Sequence, residues 1–175
     1  MKKLETERLY LRELVMEDKD ALYNILSDPE TMQYYPQTFD EVKVKRWIQW
    51  NMDNYQKYNH GLWAVILKNN DEFIGECGIT MQEIENEIVP EIGFHIQKNY
   101  WNKGYATEAA IACRDYAFNT LNYSKIFSYT TLRNIPSQKI AKKLGMQTYK
   151  IFEKNDENQI AQIVFNTKQD KNRSK

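Results

Sequence analysis

The chain has 175 residues, with 24 Lys and Arg balanced by 24 Asp and Glu. At that length folding buries roughly 70% of the unfolded surface, enough for one self-sufficient core, and a net charge of zero excludes the strongly basic footprint of a nucleic-acid binder. The longest apolar runs, such as Trp63 to Leu67, are far shorter than the ~20 residues that span a bilayer, and the charged stretch from Met1 to Leu14 lacks the apolar centre of a signal peptide, so a cytoplasmic protein with neither nucleic-acid nor membrane partners is expected.

From Arg8 to Leu14, the apolar Leu9, Leu11 and Leu14 are interspersed with polar residues at nearly the two-residue period of a half-buried strand. Asp18 is placed to cap a helix running to about Leu26, where Asp28 and Pro29 stop it. Thr38 and Glu41 match a capping box. The helix behind them carries Val44, Trp47, Ile48, Met52 and Tyr55 at helical spacing and should end near Asn59 to Gly61. Trp63 to Leu67 and Phe73 to Ile79 form a hairpin across the turn formers from Lys68 to Glu72. After a polar loop, Glu91 to Ile96 reads as a strand, Thr107 to Leu121 as an alanine-lined helix and Lys125 to Thr131 as a strand. Pro136 suits a first helical turn and Gly145 a helix stop. Thr148 to Phe152 and Gln159 to Asn166 complete the strands, and a polar, disordered tail is expected from Thr167. This order predicts a single α/β (α+β) domain over residues 1–166, a mixed sheet of about seven strands with about four helices on its faces.

Cys77 and Cys113 stand among small and apolar residues and read as reduced core positions; with His60 and His95 they form no metal-ligand spacing, so no metal is expected. The stretch that carries chemistry is Glu91 to Ala110, where a strand passes through a glycine-containing loop into a helix. The first helical turn has unpaired N–H groups and the positive end of the helix dipole, which together bind a phosphate. Gly104 lets backbone approach closely, Ala106 keeps the next turn small and Lys103 adds positive charge. Neither the nucleoside-triphosphate nor the dinucleotide glycine motif occurs.

The segment WNKGYATEA, Trp101 to Ala109, resembles the acetyl-CoA pyrophosphate motif of the GNAT superfamily of N-acetyltransferases, in which Gln or Arg is followed by two variable residues, Gly, one variable residue, and Gly or Ala. Gly104 and Ala106 match, whereas Trp101 stands in the Gln/Arg position. The continuation GYATEA is similar to the Rim-type ribosomal-protein acetyltransferases, as is the early ETERLYLRELVMED. A second match, RNIPSQKIAKKLGM from Arg133 to Met146, resembles the segment whose Asn bonds the pantetheine. The resemblance spans about Glu5 to Phe165.

It implies a GNAT fold and acetyl-CoA held by Phe94, His95, Ile96, Trp101, Asn102, Lys103, Gly104, Tyr105, Ala106, Thr107, Asn134 and Ser137, with an amine acceptor and a monomeric or homodimeric state. A backbone N–H from Phe94 to Ile96 would hold the oxyanion. The superfamily's usual tyrosine, seven residues after the Asn, is replaced by Ala141, which leaves Ser137 as either the thiolate's partner or a helix cap. Glu91 is the candidate base, direct or through water. Deprotonating an α-amine at pH 7 costs about 1.4 kcal/mol against about 4.6 for a lysine, so an α-amine needs little help; a protein N-terminus or a small-molecule amine is the expected acceptor. A non-catalytic acyl-CoA sensor is the alternative. Tyr34, Tyr35, Trp47 and Trp50 fit either a pocket wall or core, with the tyrosine pair before Pro36 as the expected pocket edge.

Overall fold

In the computed structural model, which describes residues 2–84, 86–154 and 156–166, the strands are β1 (Lys2–Glu5), β2 (Leu9–Glu13), β3 (Leu62–Leu67), β4 (Phe73–Ile84), β5 (Glu87–Ile96), β6 (Lys125–Thr131), β7 (Gln147–Lys154) and β8 (Glu157–Phe165). The helices are α1 (Lys19–Leu26), α2 (Glu41–Tyr58), α3 (Tyr105–Asn119) and α4 (Ile135–Lys143). The eight strands form one sheet in the order β1-β2-β3-β4-β5-β6-β8-β7. All ladders are antiparallel except β5 with β6, which run parallel.

Strand alternation sorts side chains into two cores. Every residue of β3 is buried because Trp63, Val65 and Leu67 enter one core and Ala64 and Ile66 the other. The first core receives Ala109, Ala110, Cys113 and Ala117 of α3; the second receives Leu22, Ile25 and Leu26 of α1 and Val44 and Ile48 of α2. Burying one Leu or Ile contributes about 1.5–3 kcal/mol, whereas an exposed ion pair contributes about 0–1. The two apolar faces therefore hold the helices on the sheet. A third cluster, around Phe127, Phe152 and Ile163, joins β6, β7 and β8.

Several boundaries differ from those expected from the sequence. The additional strand is β1, too short and too charged to show a period of its own; it gains its ladder by pairing with β2. The stretch expected as a polar loop between Ile79 and Glu91 instead extends β4 and β5 into a long hairpin, Ile84 opposite Glu87. Its polar residues stay extended because the ladder satisfies their backbone. Asp40 caps α2 by accepting from the Lys43 N–H at 2.7 Å; Thr38 lies two residues too early. Asp18 precedes α1 but turns its carboxylate back to Arg12, at 2.7 Å for each oxygen, and to the Val15 N–H at 2.9 Å. Helix α3 begins at Tyr105, two residues before Thr107, and ends at Asn119. The tail from Thr167 lies outside the described residues.

Candidate active site

Glu91 of β5 pairs with Phe127 of β6, the single register pair in that parallel ladder. Every other ladder runs through at least three pairs. The strands part beyond this pair, opening a cleft of about 550 Å³ lined by residues 91–96 of β5 and by Ser128, Tyr129 and Thr130 of β6.

At one end of the cleft lies the loop into α3. Gly104 is its N-cap with φ +84°, in the left-handed region that favours glycine. The first-turn N–H groups of Tyr105, Ala106 and Thr107, all cleft-lining residues, have no carbonyl inside the helix to bond. The loop is braced from outside. Glu108 accepts from Thr6 Oγ1 (2.6 Å), the Arg8 N–H (2.9 Å) and Arg8 Nε (2.7 Å), and Arg8 Nη1 donates to the Lys103 carbonyl at 3.0 Å. These bonds hold the Glu108 carboxyl below its ordinary range despite partial burial. Trp101, in place of the motif's Gln or Arg, lines the cleft and donates from Nε1 to the Ile96 carbonyl at 2.6 Å, tying the loop to the end of β5. The indole thus supplies an anchor where the motif has a polar side chain.

At the other end is Glu91, 8% exposed. Burial raises its pKa to about 7, opposed by a hydrogen bond from the Tyr129 backbone, another from Thr80 Oγ1 at 3.4 Å, and the charge of Lys154. A carboxyl group that is half ionised near neutral pH suits proton transfer. Burial also raises the pKa of Tyr129, whose hydroxyl accepts from Lys154 Nζ at 3.3 Å.

Of the residues singled out in the sequence, Glu91, Phe94, His95, Ile96, Trp101, Asn102, Gly104, Tyr105, Ala106, Thr107, Asn134 and Ser137 all line this cleft. Lys103 does not; its ammonium lies 5.1 Å over the ring of Tyr100, which does. Asn134, rather than Ser137, caps α4: its Oδ1 accepts the Ser137 N–H at 3.2 Å and its Nδ2 donates to Thr130 Oγ1 at 2.9 Å. Tyr34 and Tyr35 stand at the cleft as expected, whereas Trp47 packs between Phe39 and Trp50. Sequence reasoning missed Ser128, Tyr129, Thr130 and Lys139, since an alternating strand and a solvated helix give no signal until β5 and β6 diverge. Lys143, Gly104 and Thr107 also border a shallower depression outside α3, so the cleft continues past the loop.

The thiols of Cys77 and Cys113 are free and buried, 3.7 Å apart, and burial pushes that of Cys77 up. Among the described residues, no three His, Cys, Asp or Glu side chains cluster as metal ligands, and no helix is long and apolar enough to cross a membrane.

Residues 8–147 match the sequence family described as the acetyltransferase (GNAT) domain. The chain is 40% identical over 155 residues, 87% of its length and 89% of the relative's, to the uncharacterized protein YkkB of Bacillus subtilis strain 168. Its fold superposes on an acetyltransferase of Agrobacterium tumefaciens with TM-score 0.81 and 28% identity, covering 92% of each chain. The fold is also that of RimL, a ribosomal L7/L12 α-N-protein acetyltransferase solved with coenzyme A, with TM-score 0.75 and 16% identity over 91% of this chain and 95% of that one.

Proposed function

The chain belongs to the acetyltransferase (GNAT) family, and from that premise we propose that it transfers the acetyl group of acetyl-CoA to a primary amine, either a protein N-terminus or a small molecule. One observation carries the reading: a single cleft joins a helix N-terminus shaped for a diphosphate to a buried carboxylate with a pKa of about 7. A non-catalytic acyl-CoA sensor would use the first and has no use for the second. The two free thiols fit a reducing, cytoplasmic setting.

The residues present fit acetyl-CoA. Backbone amides from Asn102 to Thr107 would hold its diphosphate, with the α3 dipole and Lys143 adding positive field. Asn134 would hold the pantetheine at the mouth between β6 and α4. When bound, acetyl-CoA supplies a thioester carbonyl open to attack by an amine. The parted β5 leaves a backbone N–H between Phe94 and Ile96 free to stabilise the negative oxygen that forms there. Glu91 receives the ammonium proton at its carboxylate, directly or through one water, and the nitrogen lone pair is released for attack. Ser137, three residues beyond Asn134 and also lining the cleft, would orient or protonate the departing sulfur. The similarity of GYATEA to Rim-type sequences favours an α-amine, which also costs about 3 kcal/mol less to deprotonate at pH 7 than a lysine.

The test is release of free coenzyme A thiol from acetyl-CoA against a panel of peptides and small amines. Amine-dependent thiol release with acetylated product supports the reading. Binding of acetyl-CoA without turnover of any amine would leave the sensor instead.

A further inference from the structure

Behind the cleft wall, opposite His95 on the neighbouring strand, lies a second buried acid that the reaction does not use. Glu76 of β4 is fully buried; its two oxygens accept from Trp47 Nε1 at 2.9 and 3.1 Å, and one meets His95 Nδ1 at 2.9 Å. In the tautomer that donates Nδ1–H to the carboxylate, the lone pair lies at Nε2. His95 is 8% exposed and lines the cleft, with the Tyr35 ring tilted across it at 5.0 Å.

Four buried side-chain polar atoms among the described residues have no hydrogen-bond partner: those of Asn54, Trp63, Thr131 and His95 Nε2. Of these residues, His95 alone lines the cleft. A buried acceptor left unpaired is destabilising, and a ligand that brings a donor recovers that loss.

We propose that His95 Nε2 recognises the acceptor, taking a hydrogen bond from a second N–H donor at the far end of an elongated amine whose near end reacts beside Glu91. This rests on the acetyltransferase reading and specifies its acceptor. The strand geometry sets the spacing. Residues 91, 93 and 95 of β5 face the same side, with Thr80 opposite Glu91 and Glu76 opposite His95 on β4. Gly93 between them carries no side chain, and a Cβ there would lie 3.3 Å from Glu91 Oε2. Both side chains therefore rise from the same face of the strand, their Cα atoms roughly 13 Å apart, with the Glu91 carboxylate leaning toward Gly93. Glu91 on this face and Glu76 buried behind His95 are both acidic, which favours an ammonium over a hydroxyl as the second donor. The cleft lysines, Lys139 and Lys143, stand apart on α4.

Linear α,ω-diamines and n-alkylamines of matching chain length separate recognition from chemistry. The parent protein is expected to prefer the longer diamines in kcat/KM. His95→Phe, which keeps an aromatic ring but no lone pair, should lower the diamine-to-monoamine ratio about tenfold, and His95→Gln, which restores an acceptor oxygen, should recover part of it. A merely structural histidine would change both substrates together and leave the ratio unmoved, and that result overturns the proposal. In the parent itself, the imidazole nitrogen resonances of His95 should shift on adding a diamine and stay in place with the monoamine. Equal shifts from both would overturn the proposal even if His95→Phe failed to fold. Failure of the parent to acetylate any amine would instead overturn the acetyltransferase reading.

Discussion

The Glu91 carboxyl group is held on β5 by the backbone N–H of Tyr129 on β6, at the point where the two strands part. The hydrogen bond keeps the acid in the mouth of the cleft, and the burial that comes with it raises the pKa to about 7. The same placement that suits a base therefore works against stability once the group ionises.

The stability consequence has a definite sign. Folding raises this pKa from 4.5 to about 7, so between those values the folded state holds the extra proton and stability falls as pH rises, levelling off above about 7. The full effect is on the order of 3 kcal/mol. Glu91→Gln lacks the titration, so its stability relative to the parent should increase from pH 4.5 to 7 in denaturant melts. A constant difference would mean that Glu91 is solvated.

Gly104→Val should weaken acetyl-CoA binding severely. At φ +84° a β-branched residue is strained, and its Cβ would lie 3.3 Å from Arg8 Nη2 on the loop meant for the diphosphate. Calorimetry on the folded variant measures this directly. Unchanged affinity would remove the diphosphate from this loop.

Arg8 does not itself line the cleft, but its guanidinium holds Glu108 and the Lys103 carbonyl and lies 4.3 Å over the ring of Tyr105, which does. Arg8→Ala should therefore raise the Kd for acetyl-CoA several-fold through a looser loop, with little change in KM for the acceptor. A proportional loss in both would indicate general unfolding.

Asn134→Ala removes both the α4 cap and the amide meant for the pantetheine, so apparent KM for acetyl-CoA should rise and stability in denaturant melts fall by the cap's contribution of about 1 kcal/mol. Ser137→Ala leaves that cap in place. It should mainly lower kcat, and an unchanged kcat would exclude Ser137 from the chemistry.

Much of this arrangement was legible in the sequence because it rests on local rules. Gly104 before a helix announces the loop, and the alternation of β2 and the helical spacing of α2 announce their faces. Three things were not legible. The strand β1 owes its existence to a partner rather than to its own pattern. The cap at Asp40 depends on where α2 begins, and the diversion of Asp18 depends on Arg12, six residues earlier on β2, reaching its carboxylate in space. The pairing of Glu76 with His95 joins residues on adjacent strands whose register no single strand specifies. Burial of Glu91 likewise follows from the sheet as a whole, though its position before Ile92 and Gly93 had marked it as a candidate.

The most direct test of the central claim is the pH dependence of kcat/KM for Glu91→Gln beside the parent, measured by thiol release with one good amine. The parent rate should rise with pH through about 7 as the carboxyl ionises, while Glu91→Gln should be about 10²-fold slower near pH 7 and recover toward the parent at high pH, where the amine arrives already neutral. A variant with the parent's rate and the parent's pH profile would contradict the account and leave Glu91 as a buried acid with no part in the transfer.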